Sequence, residues 1–293
     1  MFKIAIDAGH GSNTAGKRTP PFPYDIPEHG IKKGEQFREH TANVGVAVLL
    51  EKELQRCGFE TIRVGWNDAK SHDDPDTPLT ERQRIIKNAK CDISISVHFN
   101  AYGDGRTFNT AEGVGIYIHD KYANDSEELA IQVLKQLVQG TKQKNRGVTA
   151  QALALCNCKN TGAQASILLE LAFMTHLHEA TNLFVNPKFW KECAIEIARG
   201  VCAYAKVPYV LEGTKAPKRV TRTSSKEDIV WLQSKLTQLV EGYKIKVTGV
   251  FDTTTRIAVL MYWEQLGWGR HMNDDGTVAG KSTCVALAEG RKE

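Results

Sequence analysis

The stretch that decides the fold reads Ile4-Ala5-Ile6-Asp7-Ala8-Gly9-His10-Gly11, near the start of the chain. Apolar residues recur up to Asp7, which predicts a strand, and the two glycines that follow predict a turn. A histidine in this turn lies just beyond the carboxyl end of its strand. In α/β proteins that edge of the sheet is where ligands and active sites collect. His10 is therefore the first candidate for a functional side chain.

Strand and helix patterns alternate through the first two hundred residues. Apolar periodicity predicts strands near residues 59–64, 92–98, 114–119 and 167–171, and helices near 39–54, 80–89, 127–138 and 188–205. Thr80 is the expected N-cap of its helix. The proline-rich segment 12–38 is a predicted loop that lies over part of the domain, as a lid or a specificity loop. The alternation predicts an α/β domain with a mixed, mostly parallel sheet flanked by helices.

The composition changes after Val207, which divides the chain into three predicted regions. Residues 1–207 form the α/β domain, and the polar, basic segment 208–224 is a linker without a core pattern. Residues 225–293 contain a weak internal repeat around Gly249 and Gly276, in which a glycine turn precedes helical apolar positions. This repeat predicts a small C-terminal helical module.

Bulk composition excludes several classes of protein. Of the 293 residues 41% are hydrophobic and 25% charged, with a formal net charge of +4, and no dense Lys/Arg tract indicates a nucleic-acid partner. No apolar run approaches the ~18 residues of a membrane span. Seven cysteines at irregular spacings predict reduced thiols. The printed sequence enters a strand directly, so we expect synthesis in the cytoplasm without a signal peptide. Nothing indicates an oligomeric state.

Three side chains are candidates for a metal site. His10 and His98 each follow or end a strand, and Glu39 begins a helix near the same edge of the sheet. A hydrolytic zinc site takes three such ligands and leaves a fourth position for water. Each residue alone is a weak signal, and Glu35, four residues before Glu39, is a rival carboxylate.

Glu170 is unusual because it lies inside the apolar run Ile167-Leu168-Leu169-Glu170-Leu171-Ala172-Phe173. A buried charge is costly unless it is paired or used in chemistry. A structural salt bridge and a functional carboxylate are equally open readings of this residue from the run alone.

In combination these motifs resemble the type 3 family of N-acetylmuramoyl-L-alanine amidases, over roughly residues 2–206. The motifs occur in the order of that family: the stretch around His10, the helix that opens on Glu39, the strand ending in His98, and the strand carrying Glu170. Three intermediate motifs also follow the family order: Leu79-Thr80-Glu81-Arg82, Glu112-Gly113-Val114 and Asn145-Arg146-Gly147-Val148.

The resemblance implies a function and a set of roles. It implies Zn²⁺ held by His10, Glu39 and His98, with Glu170 as the catalytic carboxylate. The substrate would be bacterial peptidoglycan, cut between N-acetylmuramic acid and L-alanine. His176 and His178 are expected to be surface residues or to lie behind the ligands. The C-terminal module looks like a three-helix peptidoglycan-binding domain, in which Trp231, Trp263 and Trp268 either stack on sugars or fill the core.

Two other functions remain open at this stage. One is a zinc carboxypeptidase or endopeptidase that cuts the peptidoglycan stem peptide. The other is a wall-binding protein without catalytic activity. Without a leader, an amidase reaches the wall only after release, so we expect a phage endolysin or a lytic enzyme of a sporulating mother cell.

Overall fold

The computed structural model describes residues 2–213, 216–268 and 275–292. This part of the chain divides into two compact units. The first comprises Phe2–Lys52 and Thr61–Tyr204, and the second comprises Glu53–Glu60 and the described residues of Ala205–Glu293. Within the described ranges, every helix is too short or too polar to cross a membrane.

A six-stranded sheet with the order β2-β1-β3-β6-β4-β5 forms the centre of the first unit. The pairs β1–β3, β3–β6 and β4–β5 are parallel, whereas β4–β6 is antiparallel. The predicted fold class, a mixed and mostly parallel sheet flanked by helices, is therefore confirmed. The strands are β1 (Lys3–Ala8), β2 (Glu60–Val64), β3 (Ile93–Asn100), β4 (Val114–Ile118), β5 (Asn145–Ala150) and β6 (Ala165–Phe173).

Helices follow the strands along the chain, and most lie where the periodicity predicts them. The prediction that Thr80 caps its helix is wrong. That helix begins at Leu79, and Pro78 precedes it, with a carbonyl that accepts a hydrogen bond from the backbone N–H of Arg82. The helices are α1 (Glu39–Arg56), α2 (Leu79–Asn88), α3 (Ser126–Gly140), α4 (Cys158–Thr161), α5 (Leu177–Glu179) and α6 (Pro187–Ala205).

Close packing against the sheet depends on small residues at particular contacts. A Cβ atom on Gly45 of α1 would lie 2.3 Å from the indole ring of Trp190 in α6. Only a glycine allows this approach. The apolar residues of β1, β3 and β6 fill the core between the helical layers, since Ile6, Ile95 and Ile167 are fully buried.

The proline-rich segment between β1 and α1 is an ordered excursion. Its two arms run against each other through backbone hydrogen bonds from Thr19 to Phe37 and from Phe22 to Glu35. Phe22 is buried, with its ring centroid 6.0 Å from that of Phe108. The excursion therefore has apolar anchors of its own and returns the chain to the start of α1.

The second unit contains α7 (Lys226–Leu239), α8 (Thr253–Gln265) and α9 (Lys281–Glu289). Two short antiparallel strands, β7 (Val220–Thr221) and β8 (Val278–Ala279), pair with each other, so this part of the segment 208–224 belongs to the small fold. Trp231 and Trp263 lie in its core. Residues 214–215 of the predicted linker and 269–274 of the predicted module lie outside the described residues.

Glu196 is a buried acid in α6 that lacks a partner for one oxygen. Its side chain lies against Gly140 at the end of α3, and its Oε2 has no hydrogen-bond partner among the described residues. Burial, and then the negative charge of Glu192, raise the pKa of Glu196 to about 8. Because the unfolded chain ionises this group first, the stability of the protein falls as pH rises from the ordinary carboxyl range to about 8.

Glu196→Gln removes the free-energy cost of ionising this buried carboxyl. We expect the variant to exceed the wild type in unfolding free energy by on the order of 2 kcal/mol at pH 8, and by much less at pH 5. Urea denaturation of metal-free protein at both pH values measures the difference. Glu28→Gln, at an exposed carboxyl in the segment between β1 and α1, controls for the loss of one negative charge. Parallel pH dependence in wild type and Glu196→Gln would show that Glu196 is ionised in the folded protein.

Candidate metal centre

Three side chains from separate parts of the chain meet at the carboxyl edge of the sheet. His10 lies in the turn after β1, His98 lies near the end of the neighbouring strand β3, and Glu39 is the first residue of α1. His98 Nδ1 is 3.1 Å from Glu39 Oε1, and His10 Nε2 is 3.3 Å from Glu39 Oε2. The centroids of the two imidazoles are 4.8 Å apart.

These three residues have the chemistry and spacing of a zinc site. One ligand atom from each lies within 4.8 Å of the others. Two ligands of a tetrahedral zinc ion, each about 2.0–2.1 Å from the metal, are separated by roughly 3.3 Å. Glu39 Oε2 is buried and has no hydrogen-bond partner among the described residues, so coordination would satisfy an atom that is otherwise orphaned.

The rival carboxylate, Glu35, does not join this cluster. Its side chain is exposed, and its Oε2 accepts a hydrogen bond from the backbone N–H of Lys32, 2.8 Å away. Glu39, in contrast, is 1% exposed. The structure therefore brings Glu39, and not Glu35, to the two histidines.

The close approach of these side chains shifts the pKa values of Glu39 and His98. Burial alone would raise the pKa of Glu39, but the adjacent imidazoles of His10 and His98 outweigh it and hold that pKa well below its usual range. Burial alone would lower the pKa of His98, but its hydrogen bond with the Glu39 carboxylate raises it. Glu39 is thus ionised at neutral pH, the form in which a carboxylate binds a metal.

Glu170 lies directly beside this cluster. It is the register partner of His98 on the adjacent parallel strand, so both side chains project from the same face of the sheet. Its Oε2 is buried without a hydrogen-bond partner in the described chain. Burial raises the pKa of Glu170 to about 8, and the charge of Glu39 adds to the rise while His98 opposes it. No ion pair neutralises this carboxyl in the described residues, which argues against the structural salt bridge.

A cavity of about 400 Å³ opens beside the two histidines. Its polar lining includes Asp7, Asp76 and Arg82, and the Arg82 guanidinium is paired with both carboxylates. The cavity is large enough for a small group next to the candidate metal position. Its apolar lining includes Leu79, Leu153, Leu155 and Leu168.

Several residues around the site have no role predicted from the sequence. Asp7, His40 and Asn43 are buried polar residues near the turn that contains His10. The charge of Asp7 within an apolar strand is a signal that could have identified it. His176 and His178 do not belong to the metal-ligand cluster, and His176 Nδ1 instead accepts the backbone N–H of Glu179.

The fold and the cluster together define a class of protein: an α/β protein with a candidate metal centre at the carboxyl edge of its sheet. Residues 4–203 match the family model described as N-acetylmuramoyl-L-alanine amidase. The chain therefore belongs to the N-acetylmuramoyl-L-alanine amidase family, and the resemblance read from the motifs is confirmed.

Individual relatives agree with this assignment. A crystal structure of N-acetylmuramoyl-L-alanine amidase from Clostridium difficile 630 is 25% identical, with a TM-score of 0.56 over 70% of this chain and 97% of that chain. The catalytic domain of CwlV, an N-acetylmuramoyl-L-alanine amidase from Bacillus (Paenibacillus) polymyxa var. colistinus, shares the fold at 24% identity and a TM-score of 0.54, over 71% of this chain and 100% of that chain.

A curated relative is longer than this chain. An uncharacterised cell wall amidase of Bacillus anthracis is 24% identical over 209 residues, which cover 69% of this chain and 35% of the relative. The chain therefore matches about a third of the length of that protein.

The geometry predicts that Glu39, and not Glu35, is a metal ligand. We expect Glu39→Gln to bind Zn²⁺ more than about 100-fold more weakly than the wild type, since changes behind the ligands alone cost 10–100-fold. Glu35→Gln, which removes an equal charge from an exposed position, should bind Zn²⁺ as the wild type does. Metal analysis after dialysis and competition with a chromophoric chelator measure both. Loss of zinc in Glu35→Gln alone would reverse the assignment.

Proposed function

We propose that the protein hydrolyses the amide between N-acetylmuramic acid and L-alanine in bacterial peptidoglycan. His10, Glu39 and His98 would hold a zinc ion, and Glu170 would be the catalytic carboxylate. The observation that carries the proposal is the placement of Glu170 beside His98, in register on the adjacent strand and facing the same edge of the sheet. Family membership, reported above, supports the choice of amide.

The chain's own residues account for the handling of protons. A zinc ion held by His10, Glu39 and His98 would supply Lewis acidity, which would polarise a carbonyl and bring the pKa of a bound water towards ~7. Glu170 lies beside His98, and its buried Oε2 has no hydrogen-bond partner in the described chain, so this carboxylate is available to exchange a proton with a group at the site. In the proposed reaction it accepts the proton of the attacking water and then delivers it to the departing amine of L-alanine.

The cavity beside the histidines supports the proposed substrate. The amide joins a lactyl group to L-alanine, and each side of the bond bears a methyl group. The leucines in the cavity lining offer apolar surface for these methyl groups.

Removal of the Glu170 carboxylate should stop catalysis while the metal stays bound. Glu170→Gln keeps the shape of the side chain, and we expect it to lose roughly 10²–10⁴-fold in wall hydrolysis, the usual contribution of a general acid–base. Turbidity loss of purified walls measures the rate, and metal analysis measures zinc. His178→Gln, a change outside the ligand cluster, is the matched control. Normal hydrolysis by Glu170→Gln would contradict the proposed mechanism.

The products identify the bond. Mass spectrometry of wall digests should show free amino groups on L-alanine and intact glycan strands. New amino groups within the stem peptide would instead indicate a carboxypeptidase or an endopeptidase. A wild-type protein that holds zinc and binds walls without releasing any fragment would be a wall-binding protein.

We further propose that residues 225–293 bind peptidoglycan and that the whole protein causes lysis. The support for wall binding is that the described residues of this range belong to a compact unit with a core of its own. Peptidoglycan lies outside the cytoplasmic membrane, so the protein would act after release, as a phage endolysin or as an autolysin in mother-cell lysis.

Trp268 is the tryptophan of this module that is exposed enough to stack on sugars. Trp231 and Trp263 are only 4% and 8% exposed, whereas Trp268 is 38% exposed. We expect Trp268→Ala to weaken co-sedimentation with walls roughly fivefold, which corresponds to on the order of 1 kcal/mol. Val285→Ala, another exposed apolar residue of this unit, should bind as the wild type does. Equal binding by Trp268→Ala would exclude stacking by this residue.

A further inference from the structure

Three consecutive carbonyl groups in the turn that carries His10 are each held by a buried side chain. The Arg82 guanidinium donates hydrogen bonds to the carbonyls of Ala8 and His10, at 2.7 and 2.5 Å. The carbonyl between them, on Gly9, accepts from Nδ1 of His40 at 2.9 Å and from Nδ2 of Asn43 at 3.0 Å. Because all three carbonyls accept hydrogen bonds from buried side chains, the turn has little freedom to change its conformation.

The backbone conformation of this turn is one that needs such support. His10 has a φ of +62°, in the left-handed region that L-residues other than glycine rarely adopt. Gly9 is also constrained, because a Cβ there would lie 2.0 Å from Cε1 of His98. The His10 imidazole therefore reaches Glu39 only while the turn keeps its present shape.

The donors are themselves held in place. Arg82 is 1% exposed, and its guanidinium also bonds Asp7 Oδ1 at 2.7 Å and the carbonyl of Thr77 at 2.8 Å. His40 is also 1% exposed, so the surrounding protein encloses its ring.

The donors also connect the turn to the third ligand. His40 and Asn43 lie in the first turns of α1, the helix that begins with Glu39. Their bonds to Gly9 therefore set the distance between the His10 turn and the Glu39 carboxylate.

We propose that Arg82, His40 and Asn43 are positioning residues that set the affinity of the site for zinc by holding the His10 turn in its left-handed conformation. The proposal rests on the metal site of the proposed function. When a donor is lost, the turn relaxes towards common backbone conformations, and the His10 imidazole moves away from Glu39 Oε2. The site then retains two ligands in place and one displaced, which lowers affinity without removing any ligand.

The His40 position offers a matched pair of variants. His40→Leu removes the donor to Gly9, whereas His40→Asn keeps a nitrogen donor bonded to Cγ, where Nδ1 stands. Competition with a chromophoric chelator gives the dissociation constant for Zn²⁺, and the visible spectrum of Co²⁺-substituted protein reports the ligand geometry. We expect His40→Leu to bind Zn²⁺ about 10-fold more weakly with an altered Co²⁺ spectrum, and His40→Asn to recover most of the affinity.

A structural control separates positioning from general destabilisation. Leu137→Ala opens a cavity under α3, far along the chain from the turn, and should lower the melting temperature of metal-free protein at least as much as His40→Leu. We expect it to bind Zn²⁺ as tightly as the wild type. Asn43→Leu removes the second donor to Gly9 and repeats the test if His40→Leu fails to fold.

The outcomes distinguish this inference from the proposed function. If wild-type protein binds Zn²⁺ and both His40→Leu and Asn43→Leu bind it equally well, the positioning role is wrong and the metal site stands. Equal weakening in Leu137→Ala would also overturn the positioning role. A wild type that binds no Zn²⁺ would overturn the metal site and the inference together.

Discussion

The buried carboxylate of Glu39 is the constraint on which the rest of the site depends. A charge that is 1% exposed is tolerated only when other groups replace the water it has lost. His10 and His98 do so on two sides, and the backbone N–H of Phe99 donates to Oε1 at 3.2 Å. The end of β1, the end of β3 and the start of α1 must therefore converge on one point.

The same constraint explains the ordered excursion between β1 and α1. The chain leaves the sheet after His10 and must bring Glu39 back beside it. The carbonyl of Lys17 accepts the backbone N–H of Glu39 at 3.0 Å, which fixes the first residue of the helix. Buried Phe22 anchors the excursion in between. A flexible loop of this length would leave the position of Glu39 undetermined.

The sequence predicts the site residues that lie at strand ends. It does not predict the residues that are brought together by buried ion pairs. His10 and His98 are predictable because apolar runs end at them, and parallel neighbours bring such ends together. The bond from Arg82 to Asp7 joins residues 75 positions apart, and neither position has a periodic signature. Strand β5 was missed for a related reason, since its exposed and half-buried residues lack the alternation of a core strand.

The two carboxylates of the site differ because their surroundings differ, although both lie next to His98. Glu39 lies beside the imidazoles of His10 and His98 and accepts the backbone N–H of Phe99, and these neighbours favour its charged form. Glu170 stands between His98 on β3 and Gly115 on antiparallel β4, a residue without a side chain to donate. Burial is therefore the dominant influence on Glu170 and raises its pKa to about 8, whereas the pKa of Glu39 is lowered. Carboxyl groups whose environments separate their pKa values in this way are suited to different tasks. In the proposed reaction, the ionised one binds the metal and the readily protonated one transfers protons.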